Sequence, residues 1–524
     1  MIRTTLVFAL MATGALAESH DPRPELVIAM PVIQRTHEAL GDANFVSRVS
    51  MSLFDRLVNR DWLNGPNGND GTEIVPGIFT EWTQVDDLTW EFKIRDDVVF
   101  HNGRPMTIDD VAFTISAERI WGPEPLRPHP LGSSLAAVDV VDDSTLRVTT
   151  KFPDPVLLQR FAYVLGNVVP ADEYREAGAA GFAAAPIGTG PYKWNEYRTD
   201  DMLELVAHDE YWGETPPFSK ITFRAVPETS ARIAGLITGE YDVITSIPPD
   251  QAELIDREGD YETRATEIEN YHGVLFVTGC GANGTGCDTP APTDNPLVRR
   301  AMIHAVDRAN IADRLWNGLA TVPAGPTWPL FGDFHDPSRE PLNYDPDLAK
   351  AILQEAGYDG EEIRVLVTQG YYVNGDRAMQ VALQQWRDIG LNVDLRFVEN
   401  WSQQQPYGEV QDALIVSANV HIPDPVTLFW NYGNPSSWAV RSGLVDLGDD
   451  FLKAGETLER TLDPEVRKAA FNDLLDIYDE VGAKVMFYRT IEIYGVRKDL
   501  EWTPYSAYWM DFRDHNAALH IADD

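Results

Sequence analysis

A run of apolar residues and an amphipathic segment open the chain after residue 20. Residues 26–30, Leu-Val-Ile-Ala-Met, form a continuous apolar run that predicts a buried strand. Between residues 44 and 58, apolar side chains recur at helical spacing, at Val46, Val49, Leu53 and Leu57. The pattern therefore predicts a strand followed by a helix.

The next part of the chain alternates in polarity and then changes to a capped helix. Residues 89–94 alternate polar and apolar side chains, as a half-exposed strand does. Thr107 and Asp110 have the spacing of a capping box, so we expect a helix that ends near Trp121, before Gly122 and Pro123.

From about residue 295, predicted helices alternate with predicted strands. Asn295 and Pro296 open one helix, and a second follows Asp345-Pro346 and ends at Gly357. A strand over 363–368, a helix over 376–389 and a strand over 391–398 then form a βαβ unit. This part of the chain is predicted to be α/β.

Residues 1–17 have the pattern of a secretion signal peptide. One positive charge at Arg3 precedes a short apolar run, and the small residues Ala15 and Ala17 stand before Glu18. Lipid anchoring needs a cysteine directly after the cleavage point, where this chain has Glu18. No later segment reaches the roughly 20 apolar residues that a membrane helix needs. We expect a soluble periplasmic protein without a membrane anchor.

The net charge of the chain excludes one class of partner, and its cysteines predict a disulfide. The chain has 82 acidic and 42 basic residues and a formal net charge of −40, which excludes nucleic acid as a partner because phosphate binding needs clustered cations. The only two cysteines, Cys280 and Cys287, lie in a glycine-rich stretch, and in an oxidising compartment we expect them to form a disulfide.

Motifs for catalysis are missing from the sequence. His37-Glu38 has Gly41 where a zinc-protease helix requires its second histidine, and no Gly-x-Ser-x-Gly sequence occurs. The string of Gly279, Gly281 and Gly284 leads into a proline-rich loop rather than a helix. We predict no catalytic residue, no metal site and no cofactor. With so many acidic residues, a two-carboxylate hydrolase stays open as an alternative.

One segment closely resembles the signature of a known family. Residues 88–111, LTWEFKIRDDVVFHNGRPMTIDDV, are similar to a block of the extracytoplasmic solute-binding proteins that include dipeptide, oligopeptide and nickel receptors. Further similar blocks follow in the order of the family, at residues 186–193, 239–243, 298–308, 344–358, 389–391 and 424–425.

The resemblance implies an α/β, two-lobed periplasmic binding protein fold, with an extra domain inserted in the first lobe and a hinge of two crossing segments. The implied division follows the chain: signal peptide 1–17, lobe I in its first part 18–58, inserted domain 59–185, lobe I in its second part 186–272, lobe II 273–489, and lobe I in its third part 490–524.

The implied function is that of a periplasmic substrate-binding receptor of an ABC-type importer. Such a receptor captures a small solute, here a peptide or peptide-like compound, by hinge closure and delivers it to the permease subunits in the inner membrane. It is a monomer and performs no chemistry. The alternatives are the same role for an oligosaccharide, an opine-like compound or a metal chelate, a periplasmic hydrolase, and a binder of unfolded chains.

The resemblance also points to ligand-contacting residues. Peptide-binding relatives place an aspartate four residues before the proline of the Asp-Pro block, where it binds the α-ammonium group of the ligand. In this chain His421 stands at that position. Asp424 could replace the missing aspartate only in a shifted loop. The remaining candidates are aromatic or lie at the hinge, with core packing as the alternative for each: Tyr271, His272, Tyr371, Tyr372, Trp401 and Trp430.

Overall fold

The computed structural model describes residues 21–34, 37–41, 44–64, 71–278, 291–399, 412–419 and 422–520. The predicted signal peptide, the cysteines Cys280 and Cys287, and two ligand-contact candidates, Trp401 and His421, lie outside the described residues. No helix in the described ranges is long and apolar enough to cross a membrane.

The described residues form a mixed α/β fold. The strands are β1 (Glu25–Met30), β2 (Val58–Arg60), β3 (Ile74–Pro76), β4 (Phe79–Gln84), β5 (Thr89–Ile94), β6 (Leu135–Asp142), β7 (Thr145–Thr150), β8 (Tyr192–Arg198), β9 (Met202–Ala207), β10 (Lys220–Ala225), β11 (Val243–Ile244), β12 (Tyr261–Phe276), β13 (Glu362–Thr368), β14 (Asn392–Val398), β15 (Ala413–Asn419), β16 (Lys484–Arg497), β17 (Leu500–Trp502) and β18 (Ala517–Leu519). The α-helices are α1 (Asn44–Leu53), α2 (Ile108–Thr114), α3 (Leu157–Phe161), α4 (Ala171–Ala184), α5 (Thr229–Ile237), α6 (Pro249–Asp256), α7 (Pro296–His304), α8 (Arg308–Trp316), α9 (Pro346–Glu355), α10 (Gly375–Asp388), α11 (Val426–Tyr432), α12 (Trp438–Arg441), α13 (Gly448–Arg460) and α14 (Pro464–Val481).

One ten-stranded sheet runs through the molecule in the order β14-β13-β15-β12-β16-β11-β1-β10-β9-β8. Its two longest strands, β12 and β16, pair antiparallel with each other along most of their length. Residues 261–267 of β12 lie beside the group that contains β1, which we call the β1 half. Residues 270–276 pair with β15 and belong to the group that contains β13, the β13 half. The two halves are therefore joined through two continuous strands.

The pairing of β12 with β16 is irregular where one half passes into the other. Register shifts occur between Glu267 and Tyr271 and between His272 and Gly273. Such irregularities bend a strand locally and increase its twist. The irregular part of the pairing thus lies at residues 267–273, between the two halves.

A separate four-stranded sheet, in the order β4-β5-β7-β6, packs with α2 and α3. We call this unit the side domain. Phe161 of α3 packs on Phe79 and Phe92 of this sheet, with ring centroids 6.0 and 5.6 Å apart. Backbone hydrogen bonds join it to the segment after α1, from Leu57 to Gly166 at 3.0 Å and from Val168 to Asp55 at 3.0 Å.

Most of the elements predicted from the sequence pattern are present. Strand β13 pairs in parallel with β14 around α10, which confirms the βαβ unit. The capping box is also confirmed, because Thr107 and Asp110 exchange hydrogen bonds at the start of α2. The predicted length of that helix is wrong: α2 ends at Thr114, because Ser116 accepts a hydrogen bond from the backbone of Arg119 and opens a separate π-helical turn.

Gly273 allows β12 and β16 to approach each other closely. A β-carbon at this position would lie 2.2 Å from the carbonyl oxygen of Val485 and 3.0 Å from the α-carbon of Met486. Because backbone atoms of a paired strand cannot move away independently, any side chain here must displace one crossing strand from the other.

We predict that Gly273→Ala lowers the free energy of unfolding by about 1–3 kcal/mol, as overpacking does. Urea denaturation measures this change. The control is Gly181→Ala, an exposed position in α4 where the nearest atom to the new β-carbon is 3.5 Å away, and which we expect to be neutral or slightly stabilising. Equal stabilities of the two variants would contradict the account of the crossing.

Candidate functional site

The two halves of the large sheet meet where their parallel strands end. Strand β1 ends at Met30 and leads toward α1, and β13 ends at Thr368 and leads to Tyr371. In open α/β sheets, ligands bind in the crevice outside the carboxyl ends of the strands. Phe45 of α1 and Tyr371 approach edge to face, with ring centroids 5.8 Å apart, so the two crevices open toward each other.

We call this region the junction. Its members come from α1, from the irregular part of β12, from the loop after β13 and from the segment before β18: Phe45, Ser47, Arg48, Glu269, Asn270, His272, Tyr371, Tyr372, Tyr508 and Trp509. A small cavity of about 30 Å³ lies here between Ser47, Tyr163, Glu269, Tyr508 and neighbouring residues.

Three residues predicted from the sequence come together at the junction. The imidazole of His272 lies 4.5 Å from the ring of Tyr372, and Tyr372 lies 4.8 Å from Tyr371. Both ring nitrogens of His272 are buried and form no hydrogen bond with the described residues. Burial and, secondarily, the positive charge of Lys484 lower the pKa of His272 to about 3, so the ring is neutral at pH 7.

Tyr271, the neighbour of His272, faces the opposite side of the sheet. Its hydroxyl lies 3.1 Å from the hydroxyl of Tyr432, and its ring stacks on Trp328 with centroids 5.5 Å apart. The amine of Lys484 lies 4.2 Å from the same ring. Burial lowers the pKa of Lys484 well below its usual value. Tyr271 therefore packs in the core of the β13 half.

The two predicted residues near α11 have their polar atoms engaged within the protein. The indole nitrogen of Trp430 donates a hydrogen bond to Glu459 at 2.9 Å. The carboxylate of Asp424 accepts from the guanidinium of Arg467 at 2.7 Å and from the backbone of Val426 at 2.9 Å. The carboxylate of Asp424 is therefore paired with Arg467 and is not directed to an α-ammonium group.

Sequence reasoning missed the buried ion pairs of the junction. Arg48 of α1 donates to Glu492 of β16 at 2.9 Å, and both side chains are almost fully buried. The ring of Tyr508 lies 5.3 Å from the guanidinium of Arg48. The available signals were an arginine within the apolar pattern of a predicted helix and the aromatic cluster Tyr505-Ser-Ala-Tyr-Trp near the end of the chain.

A second buried pair reaches the junction through Glu269, which lines its cavity. Arg60 of β2 bonds both carboxylate oxygens of Glu269, at 2.7 and 3.2 Å. The guanidinium of Arg60 also covers the ring of Trp62 at 4.1 Å, and Trp62 stacks on Tyr505. In each pair the arginine and the glutamate neutralise each other's charge. The described residues of the junction therefore combine aromatic side chains with paired charges. No group of histidine, cysteine, aspartate and glutamate suited to a metal ion occurs among the described residues.

Comparison with known families identifies the chain. The profile of the bacterial extracellular solute-binding proteins, family 5, matches residues 73–439. The chain belongs to this family. The match confirms the family inferred from the sequence blocks. The members of this family are solute-binding proteins of ABC importers that act in the periplasm.

Curated relatives differ in the solute that they bind. Heme-binding protein A of Haemophilus influenzae is 27% identical over 376 residues, which cover 66% of this chain and 64% of that protein, less than two thirds of its length. The nickel-binding periplasmic protein of Escherichia coli K12 is 26% identical over 512 residues, 91% of each chain. The glutathione-binding protein GsiB of the same strain is 25% identical over 400 residues, 75% of this chain and 73% of that protein.

Solved structures share the fold. The periplasmic binding protein DppA of Helicobacter pylori, in complex with the peptide STSA, superposes with a TM-score of 0.81 at 20% identity, over 95% of this chain and 98% of that one. NikZ of Campylobacter jejuni, in complex with Ni(L-His), gives 0.80 at 18% identity, over 94% and 98% of the two chains. The predicted two-lobed fold is confirmed.

We predict that His272 makes folding sensitive to acid. Its pKa is near 3 in the folded chain and near 6.5 in the unfolded chain, so between these values the unfolded state binds the additional proton. The stabilising effect is complete above pH 6.5 and is lost as the pH falls toward 3. Urea denaturation from pH 7 to 4 should show a slope that His272→Phe reduces by up to about 1.4 kcal/mol per pH unit.

The matched control is His520→Phe, which replaces an exposed histidine outside the junction. This variant should follow the pH dependence of the wild type. Parallel pH profiles of wild type and His272→Phe would show that the buried imidazole takes up its proton without cost, contrary to its burial.

Proposed function

We propose that this protein is the solute-capturing receptor of an ABC importer and that it works by closing two lobes around β12 and β16. In this proposal lobe I comprises residues 18–58, 186–272 and 490–524, with 59–185 as its inserted domain, and lobe II comprises 273–489. The observation that carries the proposal is that the strand ends of the two halves face each other across two continuous strands.

Closure requires contacts that exist in only one arrangement of the lobes. Phe45 and Tyr371 touch across the junction, and Arg377 of lobe II pairs with Asp250 of lobe I at 3.2 Å. The latter pair is exposed and therefore weak. A solute that contacts both lobes supplies the remaining free energy, because only a ligand with different affinities for the open and closed states can shift the equilibrium.

For the solute, we propose a peptide or peptide-like compound. The peptide complex of DppA and the glutathione-binding relatives support this class, and the aromatic side chains of the junction suit peptide or ring surfaces. Because Asp424 is bonded to Arg467 and His421 stands at the usual aspartate position, we expect recognition that does not rely on the α-ammonium group. An oligosaccharide, an opine-like compound or a metal chelate is the alternative.

The remaining parts of the proposal concern location and partners. The protein acts in the periplasm as a monomer and delivers its solute to permease subunits in the inner membrane. It has no cofactor and returns the solute unchanged. Family membership supports the small solute and the permease.

We predict that one solute class stabilises the protein without being altered. The compounds to test are Met-Leu, N-acetyl-Met-Leu, reduced glutathione, Ni(II)–histidine, hemin, agropinic acid and maltotriose. A bound solute at 100 times its Kd adds about 2.7 kcal/mol to the free energy of unfolding, so a thermal-shift assay detects it. Mass spectrometry of the recovered solute should show unchanged mass at one equivalent per chain.

Two tyrosine variants of lobe II provide the control. Tyr371→Ala removes an aromatic residue of the junction and should weaken binding roughly 10-fold, in the range of interface side chains that carry binding energy. Tyr344→Ala, at an exposed position before α9, should bind as the wild type does. A cleaved solute, or equal binding by the two variants, would contradict the proposal.

A further inference from the structure

A fully buried ion pair joins the side domain to the β13 half outside the junction. Arg160 of α3 and Glu459 of α13 lie 2.9 Å apart, and their side chains are 0% and 1% exposed. The guanidinium of Arg160 also lies 4.3 Å from the ring of Trp430. Charged groups are this deeply buried only when they are paired and hydrogen-bonded.

Both sides contribute further partners to this pair. From the side domain, Asp154 pairs with Arg160 at 2.7 Å, Leu131 accepts from it at 3.0 Å, and the hydroxyl of Ser133 donates to Glu459 at 3.2 Å. From the β13 half, the indole of Trp430 donates to Glu459 at 2.9 Å. Arg160 therefore keeps the carboxylate of Asp154 within the side domain, whereas the carboxylate of Glu459 meets its charged partner Arg160 across the contact.

The side domain is attached by its backbone to the β1 half, and Glu459 belongs to the other half. The side domain is joined to the β1 half through the backbone hydrogen bonds of Leu57 and Val168 described above. Between Arg160 and Glu459, by contrast, the contact consists of side chains. Rotation of the β13 half about β12 and β16 would separate this pair and leave the backbone bonds intact.

The helix that carries Glu459 is also connected to the loop before α11. Arg467 of α14 donates to the carbonyl of Leu458 at 3.0 Å and to the carboxylate of Asp424 at 2.7 Å. A displacement of residues 422–425 is therefore transmitted through one guanidinium to the residue next to Glu459. This loop directly follows His421, a predicted ligand contact.

We infer that Arg160, Glu459, Ser133 and Trp430 form a closure latch, a contact remote from the solute that holds lobe II against the inserted domain in the closed state. This inference rests on the proposed function, since a latch requires two lobes that open. In the open state Arg160 keeps Asp154 as its partner and water solvates Glu459, and in the closed state Glu459 leaves water only by pairing with Arg160. The latch therefore selects one closed arrangement and slows its opening.

Double electron–electron resonance between two labels tests the latch without any solute. The first pair of labels, on p-acetylphenylalanine at the exposed positions Val85 and Leu348, reports the distance between the side domain and lobe II. The second pair, at Val85 and Leu254, reports the distance between the side domain and lobe I. The wild type should show a closed component in the first distance. Glu459→Gln should reduce the ratio of closed to open roughly 10-fold, the value of a lost charged hydrogen bond, and leave the second distance unchanged.

Asp412→Asn is the matched control, because it also removes a buried carboxylate from an arginine, Arg364, but within lobe II. It should lower the melting temperature and keep the closed-to-open ratio within twofold. If Glu459→Gln fails to fold, Ser133→Ala removes one hydrogen bond of the same network at little risk and should reduce the ratio at least threefold.

An unchanged ratio in the folded latch variant would overturn the latch, as would a wild type that shows only the open distance. The proposed function is tested separately by adding the solutes named above to the wild type. If no solute changes the Val85–Leu348 distance while Glu459→Gln still does, the latch stands and the receptor function fails.

Discussion

The pairing of β12 with β16 is the interaction on which the rest of the structure depends. Sixteen residues of β12 and fourteen of β16 run from one half of the sheet into the other. Their hydrogen bonds fix each half internally, and the register shifts at residues 267–273 are located between the halves. The most irregular part of the sheet is therefore the part through which any relative motion of the lobes must pass.

Three buried arginine–glutamate pairs hold different parts of the molecule together. Arg48 with Glu492 and Arg60 with Glu269 lie at the junction, and Arg160 with Glu459 lies outside it. A buried pair contributes little net stability, because desolvation offsets the attraction between the charges, but it strongly disfavours arrangements that leave one partner alone. Of these three pairs, Arg160 with Glu459 crosses between the inserted domain and lobe II, whereas Arg48 with Glu492 lies within lobe I and Arg60 with Glu269 joins the inserted domain to lobe I. The aromatic side chains of the junction provide the surface for a solute.

The sequence predicted much of the fold, because its signals are local. Thr107 and Asp110 define the start of α2, and apolar periodicity defines β13, α10 and β14. The site was less predictable, because its members meet only through long-range pairing. Tyr371, Tyr372 and His272 were predicted from the regions that form the cleft and hinge in similar proteins, whereas the partner of Arg48 lies 444 residues away in β16 and no local pattern points to it. The end of α2 was wrong because Ser116 opens a separate turn.

The central claim is that a solute closes two rigid lobes that are joined by crossing strands, and small-angle X-ray scattering tests it most directly. The radius of gyration of the wild-type protein should fall when the solute that raises its melting temperature is added, and Tyr371→Ala should require a higher concentration for the same change. An identical scattering curve with and without a stoichiometrically bound solute would contradict the account.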